Sequence, residues 1–241
     1  MTSAFAARRA VVLSPHLDDA VFSLGAAIAR AAREGTDVLV VTAFAGNPES
    51  EKAAGSWDRS TGFAREGAAA AARRREDEAA CGILGAAPVW LPFREEQYGE
   101  EATDDAVWTA IAPHLSGADA VLVPGYPLDH GDHSRLARLC VSMTDRECRV
   151  GLYAEQPYAT WAPGPPRAGA LAPSVDENLA WRPVRTLPRD RRRKWRACLA
   201  YRSQLRRMLR ESPALPWRVG RYERRAGGEL VAWTSSRNVH R

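Results

Sequence analysis

Ser14-Pro15-His16-Leu17-Asp18-Asp19-Ala20 ends the first apolar run of the chain and decides how the fold begins. The apolar residues 10–13 before it predict a buried strand, and residues 21–32 after it predict a helix. One imidazole and two carboxylates therefore lie on the turn that leaves the first strand. Because open α/β sheets bind ligands at the carboxyl ends of their strands, we expect a polar site at this turn.

The spacing of His16 and Asp19 suits a shared metal ion. Lying three positions apart, the two side chains can supply one nitrogen and one oxygen to the same ion. Asp18 lies between them and points elsewhere. A carboxylate that is not a ligand is what a metal-assisted hydrolase needs as its general base. The turn therefore favours Asp18 as a catalytic residue.

A second turn of the same kind lies far along the chain. Residues 119–123 form a short β-branched run that predicts a strand, and proline and glycine residues interrupt it. His130-Gly131-Asp132-His133 follows, and residues 134–143 predict a helix. Three of the five histidines in the chain lie on these two turns. This clustering indicates one shared site.

Strand and helix patterns alternate through the first half of the chain, as in βαβ units. The other predicted strands cover residues 37–44, 88–93 and 150–153, with an edge strand at 230–233, and the other predicted helices cover residues 68–85, 106–115 and 188–210. We predict an α/β fold in which one Rossmann-like domain spans residues 1–241, with a mostly parallel sheet and helices on both faces. Because no GxGxxG motif follows the first strand and Gly25 stands alone, we expect no nucleotide site.

Two long connections are predicted to form active-site loops. Residues 46–67 are polar and glycine-rich, and they carry Trp57 and Phe63. Since ordinary connections are much shorter, we predict that this loop forms a wall of the site and that Trp57 stacks on a sugar face or packs within a lid. The proline-rich residues 162–173 are predicted to be irregular and to form a second wall.

Three further motifs complete a recognisable pattern. They are Arg73-Arg74-Arg75-Glu76-Asp77, the strand end Tyr153-Ala154-Glu155-Gln156-Pro157-Tyr158, and Lys194-x-x-Ala197-x-x-x-Tyr201-x-Ser203-Gln204. Together with the two histidine turns, and in this order, they resemble the LmbE/PIG-L-like zinc-dependent N-deacetylases. The sequence departs from that family at Leu17, at Ala20 in place of the usual Glu, and at Gly131 in place of a larger residue.

Two imidazoles and one carboxylate suit Zn²⁺ with a fourth position open for water, and they also suit Fe²⁺. We predict His16, Asp19 and His133 as the metal ligands. His130 is predicted to approach the substrate carbonyl in its protonated form, and Asp132 to orient His130 or His133. Glu155 is predicted to line the pocket or to pair with an arginine.

Composition restricts the class of protein. No apolar run reaches the roughly 20 residues that span a bilayer, and the start of the chain does not resemble a secretory signal. The four cysteines are widely spaced, which is typical of reduced thiols and leads us to expect a cytoplasmic protein. Eleven Lys and Arg face one acid over residues 185–210 of a chain with net charge +5. Helical spacing of apolar residues there favours a solvated basic face over a nucleic-acid site.

The resemblance implies a zinc-dependent hydrolase that removes an N-acyl group, commonly N-acetyl, from an amino sugar or a sugar-containing small molecule. Natural-product or thiol-glycoside metabolism would fit such an enzyme. Three alternatives stay open at this point: an amidase that uses the same site on a thiol conjugate, a catalytically silent sugar- or metal-binding module, and a nucleic-acid-binding protein. The intact Asp18 and His130 argue against a silent module.

Overall fold

A computed structural model describes residues 4–99, 102–144, 148–162, 166–167, 171 and 179–234. The strands are β1 (Arg9–Ser14), β2 (Asp37–Thr42), β3 (Ala87–Trp90), β4 (Ala120–Tyr126), β5 (Arg149–Ala154), β6 (Trp181–Val184) and β7 (Glu229–Trp233). The helices are α1 (Asp19–Arg33), α2 (Ser56–Ser60), α3 (Glu66–Leu84), α4 (Asp104–Leu115), α5 (Gly131–Met143), α6 (Pro188–Cys198), α7 (Arg202–Glu211) and α8 (Leu215–Ala226). Single 3-10 turns lie at Glu96–Tyr98 and Tyr158–Thr160.

The strands form one sheet of seven in the order β3-β2-β1-β4-β5-β7-β6. The first five of these are parallel, and β7 runs antiparallel to both of its neighbours. The predicted α/β class with a mostly parallel sheet is therefore confirmed. The chain leaves β1 in one direction to β2 and β3, and later returns to its other side as β4. This reversal of strand order makes a crevice at the carboxyl ends of β1 and β4.

Helices cover both faces of the sheet, as predicted. On one face, α1, α3 and α6 bury Leu24, Ile28, Leu84 and Ala197 against β1 and β2. On the other face, α4 and α5 bury Ile111 and Leu136 against the same strands and β4. With both faces covered, the central strands are apolar throughout, which explains their continuous runs of Val, Leu and Ala.

Gly25 has a packing role. A Cβ atom added there would lie 2.9 Å from Cγ of Lys194, so only glycine lets α1 and α6 approach this closely. Lys194 is fully buried, and its Nζ donates to Glu223 at 2.5 Å and to Glu229 at 2.7 Å. Glu229 also accepts two backbone amides of α1. A buried three-residue ion network thus joins α1, α6, α8 and β7.

The C-terminal part differs from its prediction in three ways. The single basic helix predicted over residues 188–210 is divided into α6 and α7, because buried Tyr201 donates to Asp77 at 2.6 Å and fixes the turn between them. The helix α8 and the strand β6 were not predicted. The predicted edge strand 230–233 lies inside the sheet as β7, and β6 forms the edge.

The connection over residues 46–67 is ordered rather than irregular. It contains α2, and a bridge between Ala53 and Arg65 closes its base. The second predicted wall, residues 162–173, lies mostly outside the described residues. Among the helices described, none is both long and apolar enough to cross a bilayer.

Candidate active site

The turn after β1 presents its carboxylates because another residue caps α1. Ser14 Oγ accepts the amide of Ala20 at 3.0 Å, whereas Asp18 occupies the N-cap position without a side-chain capping bond. Asp19 folds back instead, and its Oδ2 accepts the backbone amide of His16 at 2.9 Å. Ser14 therefore caps the helix, and the carboxylates of Asp18 and Asp19 stay available to the site.

Asp18 has an unusual backbone conformation, with φ of 119° and ψ of −31°. Residues other than glycine rarely adopt positive φ, and Asp is among the few that tolerate it. Such strain is held by the surrounding structure and is concentrated at functional sites. Here it lies between two predicted metal ligands and beside a cavity.

His16 is fixed by contacts at both ring nitrogens. Its Nε2 contacts Asp132 Oδ2 at 2.9 Å, and its Nδ1 lies 3.3 Å from Asp19 Oδ2. Asp132 thus contacts His16, a pairing that the sequence did not predict, because β1 and β4 are neighbours and their turns meet across the crevice. Its carboxylate also lies 4.0 Å from Nδ1 of His130, and the predicted role of Asp132 in orienting His130 or His133 stays a prediction.

His133 lies in the first turn of α5 and is fully buried. Its Nδ1 is hydrogen-bonded to Glu155, which follows β5, and its Nε2 lies 3.1 Å from His16 Nδ1 and 3.3 Å from Asp19 Oδ2. Glu155 is therefore placed to orient a histidine, and within the part of the chain that the structure describes its ion pair is with His133 rather than with an arginine. An imidazole that donates one N–H to a carboxylate presents its other nitrogen as a metal ligand.

Three ligand atoms converge at one point between these turns: Nδ1 of His16, Oδ2 of Asp19 and Nε2 of His133. Ligands that surround Zn²⁺ tetrahedrally at about 2.1 Å lie about 3.4 Å apart. The separations of 3.1, 3.3 and 3.3 Å come close to that spacing. Asp132 and Glu155 can accept the N–H groups on the far sides of the two rings. The nitrogen lone pairs of His16 and His133 then face the negative charge of Asp19, and this arrangement suits a cation.

The electrostatics of the two imidazoles agree with this geometry. Burial lowers the pKa of His16, but its hydrogen bonds to Asp132 and Asp19 outweigh burial and raise the pKa well above its ordinary value. The pKa of His133 is raised to about 9 against burial by the carboxylates of Asp19 and Glu155. The pKa of Asp19 is lowered, since both imidazoles outweigh its burial. Positive charge is therefore favoured at the point where the ligand atoms meet.

The environment of Asp18 shifts its pKa in the opposite direction to that of Asp19. Burial and the nearby charge of Asp19 raise its pKa well above the ordinary value, against the lowering effect of Arg73. A carboxyl group of raised pKa can both accept and return a proton near neutral pH. Asp18 lines the same cavity as the two ligands of its turn.

His130 begins α5 as its N-cap residue, and its Nδ1 accepts the amide of Asp132 at 3.2 Å. Its ring centre lies 5.0 Å from that of His16 and 5.1 Å from that of His133. Burial and the two neighbouring imidazoles lower the pKa of His130. A lowered pKa favours the neutral form of the ring, and the predicted protonated form at a substrate carbonyl stays a prediction. One nitrogen from each of the three histidines lies within 4.8 Å of the others, so His130 is also a possible ligand.

The cavity beside these residues has walls that the sequence did not indicate. Arg73, Glu95 and Gln97 line one part, and Phe22, Pro157, Tyr158 and Met208 line another. Arg73 is buried and donates to Glu95 and, at 3.4 Å, to Asp58. The motifs at residues 73–77 and 153–158 contain Arg73, Pro157 and Tyr158 and were the signals for these walls, whereas Glu95 and Gln97 belong to a segment without a recognised pattern.

Trp57 of α2 also lines the cavity. Its indole N–H donates to Gln204 of α7 at 2.6 Å, and the guanidinium of Arg207 lies 3.8 Å from its ring centre. The loop 46–67 thus reaches the site, as expected, but one face of Trp57 is covered by Arg207.

Solved structures of several deacetylases share this fold. An antimicrobial A40926 pseudoaglycone deacetylase has a TM-score of 0.84 at 24% identity, covering 97% of this chain and 99% of that chain. The zinc-inhibited form of a teicoplanin deacetylase has a TM-score of 0.76 at 25% identity, covering 93% and 97%. N,N'-diacetylchitobiose deacetylase from Pyrococcus horikoshii has a TM-score of 0.59 at 17% identity, covering 94% and 83%.

Fold and site together define a metal-dependent hydrolase of the N-deacetylase class. Residues 11–144, more than half of the chain, match the PIG-L family, described as GlcNAc-PI de-N-acetylase, and the chain belongs to this family. No curated protein matches the sequence. Of the departures noted above, Leu17 and Ala20 are both buried, and Ala20 packs in the apolar core, while a Cβ atom at Gly131 would lie 2.9 Å from the carboxylate of Glu96.

Proposed function

We propose that this protein removes the N-acetyl group, or a related N-acyl group, from an amino sugar carried by a small molecule or glycoside. The observation that carries the proposal is the convergence of His16, Asp19 and His133 on one point, with Asp18 unligated in the same cavity. The similar structures named above include deacetylases of the A40926 pseudoaglycone and of N,N'-diacetylchitobiose, which supports an amino-sugar substrate.

His16, Asp19 and His133 would hold the metal, with Zn²⁺ as the first candidate and Fe²⁺ as the second. A divalent ion bound there would supply a Lewis acid for the amide carbonyl and would lower the pKa of water to about 7. Asp132 and Glu155 position the two imidazoles. These carboxylates would hold the ligating nitrogens in place before an ion arrives.

The protein's own groups then account for the proton transfers. Asp18 accepts a proton from the attacking water as the new carbon–oxygen bond forms. It returns the proton to the amide nitrogen as the carbon–nitrogen bond breaks, so that a neutral amine leaves, the acyl group remains as the carboxylic acid and Asp18 is again a carboxylate. His130 lines the same cavity and would donate an N–H to the carbonyl oxygen, where negative charge develops. Arg73, Glu95 and Gln97 offer polar groups to the sugar hydroxyls.

The expected cytoplasmic location belongs to the same proposal. The cysteines Cys81, Cys140, Cys148 and Cys198 form no disulfide bond with one another, and three of them are buried. Reduced cysteines are typical of a reducing compartment.

A screen of N-acetylated amino sugars for release of free amine tests the proposal. We expect turnover that is lost after chelation and restored by added zinc or iron. A purified protein that binds such sugars without releasing amine, with metal present, would instead indicate a silent binding module. Turnover that chelation leaves unchanged would contradict the metal-dependent mechanism.

A further inference from the structure

An apolar groove lies between α6, α7 and α8, next to the catalytic cavity. Residues of α1 and the C-terminal helices line it, and it exposes apolar atoms only: Phe22, Pro157, Lys194, Trp195, Cys198, Leu199, Leu205, Met208, Leu209, Leu215, Pro216 and Val219. Lys194 contributes only its methylene stem, since its ammonium group is bound to Glu223 and Glu229. The thiol of Cys198 stays neutral, because burial raises its pKa to about 12.

The groove is continuous with the cavity. Phe22, Pro157 and Met208 line both. Phe22 also lies one helical turn after Asp18, and its amide donates to the carbonyl of Asp18 at 2.9 Å. The mouth of the groove is therefore next to the residue proposed to transfer the proton, and an apolar group attached near the scissile amide can enter it.

The two ends of the cavity differ in polarity. Arg73 and Glu95 line the cavity and also a polar recess that contains Asp58 and Tyr98. That recess shares no described residue with the apolar groove. A sugar needs the hydrogen-bonding end, and the apolar end is left for the other side of the amide, which is the acyl chain.

Resting on the proposed deacylase function, we propose that the groove binds the acyl chain of the substrate and that the enzyme prefers a medium-length N-acyl group over N-acetyl. An acetyl methyl group is too short to leave the cavity and would leave the groove unfilled. The occupant is thus an alkyl chain of several carbons, bound through apolar contact alone. Each methylene that becomes fully buried strengthens binding about fourfold.

The chain-length dependence of kcat/KM tests this inference. N-acetyl-, N-butanoyl- and N-octanoylglucosamine are compared with wild type, with Leu209→Asp and Leu199→Asp in the groove, and with Met143→Asp as an exposed control outside it. We expect wild-type kcat/KM to rise about tenfold or more from acetyl to octanoyl. Both groove variants should lose that gain and keep acetyl turnover, and Met143→Asp should behave as wild type.

A binding measurement gives a result that does not depend on the sugar scaffold. Octanoate, titrated against the fluorescence of the zinc-loaded protein, should bind saturably to wild type and more weakly to Leu209→Asp. The groove assignment would be overturned if kcat/KM stayed flat or fell with chain length, or if octanoate bound equally to all variants. Turnover of the N-acetyl substrate would in that case still support the proposed function. A gain with octyl N-acetylglucosaminide instead of N-octanoylglucosamine would assign the groove to the aglycone. No turnover of any N-acyl sugar would overturn the proposed function itself and this inference with it.

Discussion

At the scale of single residues, Asp18 combines a strained backbone, a raised pKa and freedom from the ligand set. Its neighbour Asp19 has a lowered pKa and contacts both ligating imidazoles. The surroundings thus raise the pKa of one carboxyl group and lower the pKa of its neighbour. Such a separation supports the proton-transferring role proposed for Asp18 and the metal-binding role proposed for Asp19.

Asp18→Asn tests the proton transfer. Asn tolerates positive φ as Asp does, so the turn should keep its shape and its metal. We expect kcat to fall by about 10²- to 10⁴-fold, because the amide cannot accept the proton. Metal content and kcat are measured on the same sample, with the exposed Asp105→Asn as control. Near-normal kcat with metal bound would transfer the role to another carboxylate.

Glu155→Gln tests the positioning of His133. The amide keeps a hydrogen bond to Nδ1 but loses the negative charge, and loss of such a partner typically weakens metal binding by about 10- to 100-fold. Competition with a chelating dye measures the affinity, and Glu51→Gln on the surface is the matched control. Unchanged affinity would show that Glu155 has no part in holding the ligand.

Residues of the two turns could be predicted from the sequence because their roles depend on local spacing. His16, Asp19 and His133 lie on turns that follow adjacent strands, and strand adjacency brings them together. The partners of the imidazoles could not be predicted in this way. Asp132 reaches His16 and Glu155 reaches His133 across the sheet, and only the three-dimensional register decides which carboxylate meets which ring.

At the scale of elements, the network around Lys194 joins helices that the sequence does not show as neighbours. Lys194→Met should destabilise the fold by about 3–5 kcal/mol, because two buried carboxylates lose their counter-ion. Urea unfolding measures the loss, with Arg192→Met on the exposed side of the same helix as control. A change below 1 kcal/mol would mean that Glu223 and Glu229 become protonated at little cost.

Docking of α2 against α7 sets one wall of the cavity. Trp57→Ala removes both the bond to Gln204 and the contact with Arg207. We expect KM to rise about fivefold or more with metal content unchanged, since a cation–π contact alone is worth about 1 kcal/mol. Trp57→Phe keeps the ring and should lie between Ala and wild type. Equal KM in all three proteins would remove α2 from substrate binding.

The central helices and strands follow from apolar periodicity, whereas the C-terminal elements do not. The strand β6 reads Trp-Arg-Pro-Val and pairs on one side only, so it needs neither alternation nor a continuous apolar run. The division between α6 and α7 depends on the buried bond from Tyr201 to Asp77, a contact distant in sequence. Edge positions and long-range bonds are therefore the points at which sequence patterns fail.

At the scale of the whole molecule, the reversal of strand order between β1 and β4 is what creates the site. Each strand delivers one histidine turn to the same edge of the sheet, and β5 delivers Glu155 beside them. The C-terminal helices complete the cavity from outside the sheet, through Gln204 and Met208 of α7. The residues proposed for the chemistry thus lie on turns that follow the central strands, and the peripheral elements shape the substrate site.

An anomalous diffraction measurement at the zinc edge, on crystals of the active enzyme, tests the central claim most directly. The account predicts one strong peak about 2.1 Å from His16 Nδ1, Asp19 Oδ2 and His133 Nε2, and no such peak in crystals of His133→Ala. An active enzyme with no anomalous peak at that point at the zinc or iron edge would contradict it.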